Sequence, residues 1–106
     1  MIQVKMHQND KGVYTGFHVS GHAGYGAYGQ DIVCAAVSAL VVNTMNSVEQ
    51  FTEDAFEGSI DEASGDVRFH FKDEPGAEAA LFMKSLVLGL TGIQEQYGTE
   101  IIQFVK

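Results

Sequence analysis

Ile2, Val4 and Met6 alternate with Gln3 and Lys5, the two-residue period of a half-buried strand. Asn9-Asp10-Lys11-Gly12 then supplies turn chemistry. Val13 to Ser20 reads as the returning strand, with Val13, Phe17 and Val19 on one face and Tyr14, His18 and Ser20 on the other. Four glycines among residues 21–30 suit neither a helix nor a central strand, so a flexible loop is expected over about 21–31. Asp31 is expected to cap a helix ending near Asp54, because Val33, Ala36, Val37, Leu40, Val41, Thr44, Val48 and Phe51 recur at three- and four-residue steps.

A second hairpin is expected from Gly58 to Glu62 and Asp66 to Lys72, with Val67, Phe69 and Phe71 inward and Arg68, His70 and Lys72 outward. After Pro75-Gly76, a helix spans about Ala77 to Tyr97, its stripe built from Ala79, Phe82, Met83, Leu86, Leu90, Ile93 and Tyr97. Leu81, Val87 and Leu88 fall off that stripe, so a second packing surface is expected, with a homodimer partner as one candidate. Ile101, Ile102, Phe104 and Val105 form a last strand. The order is ββαββαβ: an α+β fold with two helices and a mostly antiparallel five-stranded sheet.

Composition narrows the class. The 106 residues suit one domain, 1–106, and 45% are apolar, enough to fold without metal or disulfide staples. Six Lys and Arg against 14 Asp and Glu leave a net charge of −8, which argues against a nucleic-acid partner. The N-terminus lacks a signal-peptide layout. The uncharged run from Ile32 to Val48 contains Ser38, Asn43, Thr44, Asn46 and Ser47 and is expected to be too polar for a membrane. Cys34 is the only cysteine, which fits a reducing, cytoplasmic setting.

That cysteine lies where chemistry is plausible. With Asp31 as cap, Cys34 would occupy the third helical position, near unpaired N–H groups and the positive end of the helix dipole. A thiol needs such help, because only a few per cent is thiolate at neutral pH and a reference pKa of about 8.5. His22, twelve residues upstream, could be the cation and later the general acid, and the intervening loop is short enough to bring the two together. The first-turn N–H groups, Cys34's own among them, would be candidate oxyanion donors. Asp31 is either the cap or the partner that orients the imidazole.

Plainer readings exist. A small cysteine among Val33, Ala35 and Ala36 is often packing, and His22 alone would be a strand-end polar residue. Gly24-Tyr25-Gly26-Ala27-Tyr28-Gly29 matches a dinucleotide fingerprint, but two tyrosines crowd it and no βαβ series follows. Zinc could take His18, His22 and Cys34 with His7 or His70, but no paired-ligand spacing supports that. No metal or other cofactor is expected.

Gly21-His22-Ala23-Gly24, followed by Asp31-Ile32-Val33-Cys34-Ala35-Ala36-Val37-Ser38, closely resembles the bacterial ribosomal-processing cysteine protease family, Prp. The resemblance covers essentially the whole chain. It implies a dyad of His22 as general base and Cys34 as nucleophile, with Asp31 in support. It implies a homodimeric cytoplasmic endopeptidase that removes a short N-terminal extension from a large-subunit ribosomal protein precursor, at a Phe-rich site. The loop carrying Gly21, Gly24, Tyr25, Gly26, Tyr28 and Gly29 would close over the substrate, its tyrosines against aromatic side chains. The acidic surface would steer a basic ribosomal protein. The rival reading is a non-enzymatic acidic module that only binds such a protein. A redox sensor is the third, weakened by the lack of a resolving cysteine.

Overall fold

The computed structural model describes residues 1–21, 28–61 and 63–106, with the backbone alone described for 28–31. The elements run β1 (Ile2–Gln8), β2 (Tyr14–Gly21), α1 (Tyr28–Phe51), β3 (Phe56–Ile60), β4 (Val67–Phe71), α2 (Ala77–Tyr97) and β5 (Ile102–Val105). The order and class match the hydrophobic pattern. The sheet is ordered β3-β4-β2-β1-β5, antiparallel throughout except for the parallel β1–β5 pair.

Local chemistry explains the first hairpin. Asn9 Oδ1 accepts from the N–H groups of Lys11 (2.9 Å) and Val13 (3.1 Å), folding the turn onto its own side chain. In the sheet, Val4 lies opposite Val19, and Phe17 opposite Phe69, so the inward residues of three strands form one apolar layer. Phe69 is its centre, with ring centroids 5.2 Å from Phe17, 4.9 Å from Phe56 and 5.0 Å from Phe71. Val33, Val37, Val41 and Val48 of α1 and Ala79, Met83, Leu86 and Leu90 of α2 complete the core. Thr44, the one buried polar residue among those described, donates its hydroxyl hydrogen to the Leu40 carbonyl at 2.8 Å.

α1 departs from expectation at both ends. It begins at Tyr28, so residues 28–30 are helical rather than loop, and Asp31 is the fourth helical residue rather than the cap. One helical glycine costs about 1 kcal/mol, but extending an existing helix gains a hydrogen bond per residue, and here extension wins. At the other end α1 stops at Phe51. Thr52 Oγ1 donates to the Val48 carbonyl (2.7 Å) and accepts from the Asp54 N–H (3.3 Å), which turns the chain out of the helix. Asp54 then accepts from the Gly76 N–H at 2.9 Å, tying this corner to the start of α2.

A second correction concerns α1 as a membrane candidate. Residues Ile32–Phe51 are long and apolar enough, by length and composition, to cross a bilayer. The interspersed Ser, Asn and Thr residues do not exclude that. What places this helix is its valine stripe, buried against the sheet.

Candidate active site

Cys34 is half-buried and its thiol is free. Because α1 starts a turn earlier than expected, Cys34 is the seventh helical residue. Its N–H belongs to the regular i→i−4 ladder and is no spare oxyanion donor. Cys34 therefore lies beyond the first turn of α1, where the unpaired N–H groups and the positive end of the dipole would act on a thiol.

The structure supplies a cavity of about 210 Å³ at Cys34. Cys34, Val37, Ser38 and Val41 form its helical wall, one α1 stripe two turns long. Opposite stand Ile2 of β1 and Val19 and Gly21 of β2, and the far side is closed by Gly65 and Val67. Among the described residues the lining is one thiol and one hydroxyl in an otherwise apolar wall, which suits a side chain without charge.

Gly21 joins this site to His22. It holds φ at +82°, and a Cβ there would collide with the Met1 carbonyl oxygen, so the position demands glycine. The next Cα along the chain is about 3.8 Å away by covalent geometry. His22 is thus bonded directly to a residue that shares Cys34's cavity. His22 itself, with Gly24, Tyr25 and Gly26, lies outside the described residues. Tyr28, Gly29 and Asp31 are placed by backbone only, in the first turn of α1.

The pattern along the chain did not point to Ile2, Ser38, Gly65 or Val67 as site residues. Ser38 had a signal, since i and i+4 share a helix face. Gly65 had none, because it comes from a distant hairpin turn.

The other histidines lie on the open face of the sheet. His18 Nε2 is 3.2 Å from Asp66 Oδ2, and Glu57 lies 3.5 Å from His70 and 3.9 Å from Lys72. Burial, and then the positive charge of Lys5 and the neighbouring His18 and His70, hold His7 below its ordinary pKa of 6.5. Lys5, Arg68 and Lys72 share this face with the histidines. The exposed acids Glu53, Asp73, Glu74 and Glu78 gather near the α1 C-terminus and α2 N-terminus. Seventeen helical residues put that end about 25 Å from Cys34, roughly three Debye lengths at physiological salt. These four acids are therefore too far from Cys34 to orient a group at the thiol.

A family model described as "Cysteine protease Prp" matches residues 1–102. The chain belongs to the Prp family of cysteine proteases. The ribosomal processing cysteine protease Prp of Staphylococcus aureus strain Mu50 is 33% identical over 101 residues, 95% of each chain. That of Bacillus subtilis strain 168 is 33% identical over 104 residues, covering 92% of this chain and 90% of the relative. A crystal structure of the S. aureus Prp, described as an essential ribosomal processing protease with a covalently linked product peptide, superposes with a TM-score of 0.89. That match is 33% identical and covers 98% of this chain and 97% of the other. Prp membership makes this chain a thiol hydrolase by family, and Cys34 is its only cysteine.

Proposed function

We propose that this chain is an endopeptidase in which Cys34 is the nucleophile and His22 the general base. The carrying observation is the shared cavity: Cys34 forms one wall, and Gly21, bonded to His22, forms another. His22 takes the Sγ proton as sulfur attacks the scissile carbonyl, and the tetrahedral adduct collapses to a thioester. The proton passes to the departing amine nitrogen. Water, deprotonated by His22, then attacks the thioester; collapse expels the thiolate, which recovers the proton. Asp31 no longer stands as helix cap, so its supporting role is with the imidazole.

The substrate we infer is a large-subunit ribosomal protein precursor, cleaved at a Phe-rich site in its N-terminal extension. The names of the relatives support ribosomal processing. The cavity supports an aromatic residue beside the cut, since an engineered cavity of about 150 Å³ holds benzene. Tyr25 and Tyr28 are assigned to substrate contact with Gly24, Gly26 and Gly29. We further infer a cytoplasmic homodimer that needs no cofactor. Leu81 and Leu88, 65% and 74% exposed on α2, are the apolar surface a partner copy would cover.

The test is cleavage of a peptide spanning the extension and the mature N-terminus. Wild type cuts it at one bond. Cys34→Ala and His22→Ala each lower turnover by at least about 10³-fold while the circular dichroism spectrum is kept. Undiminished cleavage by Cys34→Ala refutes the assignment. Equal binding of precursor and mature protein without cleavage supports the binding module instead.

A further inference from the structure

The far wall of the Cys34 cavity is made by Gly65 and Val67, and between them Asp66 turns its carboxylate to the opposite face of the sheet. There Oδ2 meets His18 Nε2 at 3.2 Å, with both side chains part-buried. His18 in turn precedes Val19, another wall residue. The pair thus spans the back of the sheet directly behind two walls of the site.

Its position in the ladder gives it a task. β2 and β4 are paired from Gly16↔His70 to Val19↔Val67, and there the backbone pairing ends. Beyond it, the β3–β4 turn is bonded to itself. Asp61 N–H donates to the Asp66 carbonyl (2.8 Å), Gly65 N–H to the Asp61 carbonyl (2.7 Å), and Asp66 N–H to Ser64 Oγ (3.2 Å). Among the described residues, the His18–Asp66 contact is the hydrogen bond joining this self-contained turn to β2. Loss of that contact would leave the turn free to shift about its last backbone pair with β2, and Gly65 would shift with it relative to Cys34.

We propose that His18 and Asp66 are positioning residues for the substrate subsite: their contact sets the width of the cavity by fixing the Gly65 wall. The inference rests on Cys34 being the reacting group, and it concerns what fits beside the thiol and leaves the thiol's own chemistry unaltered.

The experiment compares two alkylating agents on the full chain. Iodoacetamide is small and reports thiol reactivity, whereas N-benzyl iodoacetamide must seat an apolar ring in the cavity. In Asp66→Ala the benzyl reagent loses about 2- to 10-fold in rate relative to iodoacetamide, the worth of one hydrogen bond. Peptide cleavage shows the same factor in KM with kcat kept. Asp66→Asn, which retains an acceptor for the imidazole N–H, restores both. An unchanged reagent ratio in Asp66→Ala overturns the proposal, as does an equal slowing of both reagents. If Asp66→Ala does not fold, His18→Leu, which has no donor for the Asp66 carboxylate, carries the same comparison with the same expected ratio. Wild type that cuts no peptide removes the protease reading alone, because the reagent ratio still decides whether the pair shapes the cavity.

Discussion

Gly21 lies opposite Ile2 in the β1–β2 ladder, and both line the cavity that holds Cys34. The strand pairing and the site therefore share a backbone position. Gly21→Ala adds a Cβ that meets the Met1 carbonyl, in a left-handed conformation costing about 1–3 kcal/mol for a residue with a side chain. Urea denaturation should show a loss in that range, with peptide cleavage falling further than the unfolded fraction explains.

Phe69 is buried and packs against three other aromatic rings, those of Phe17, Phe56 and Phe71. Phe69→Ala should cost about 3–5 kcal/mol, a large part of the 5–15 kcal/mol typical of a whole domain. A thermal scan should show a much lowered Tm. Phe69→Leu, which fills more of the space, should lose clearly less.

His7 gives stability a pH dependence of known sign. Its folded-state pKa is depressed from 6.5, so the unfolded chain takes up the proton first as the solution is acidified. Stability from this group is intact above 6.5 and is lost as pH falls from there through the lower folded value. Urea midpoints at pH 7.5 and 5.5 should differ less in His7→Gln than in wild type.

Leu81 and Leu88 are seven residues apart on one face of α2. Leu88→Glu should weaken self-association at least about tenfold, since each buried leucine contributes about 1.5–3 kcal/mol and a twofold interface counts it twice. Light scattering at micromolar concentration measures this. A monomeric wild type would remove the dimer.

Much of this was legible along the chain, and the failures have physical causes. The alternation Val67-Arg68-Phe69-His70-Phe71 reads directly as β4, since burial on one sheet face has period two. α2 is found to the residue because Gly76 and Gly98 flank a continuous apolar stripe. The start of α1 is not legible locally, because Asp31 has the chemistry of a cap whereas extension through Gly29 is decided by the helix behind it. Cys34 was found from its neighbours in sequence. The Gly65 wall was not, because it reaches the site only through the sheet order, and no local pattern encodes which strand lies beside which.

Ile2 donates its N–H to the Ile101 carbonyl, and β1 then runs parallel to β5 along Ile2↔Ile102 and Val4↔Phe104. One wall of the cavity thus waits on residues about a hundred positions later. During synthesis at about 5–20 residues per second, Ile2 is without this neighbour for roughly 5 to 20 seconds. A nascent chain can close the β1–β2 hairpin and extend α1 long before β1 gains this second neighbour. The strand that carries Ile2 is thus held on one side by its earliest partner in the chain and on the other by its latest.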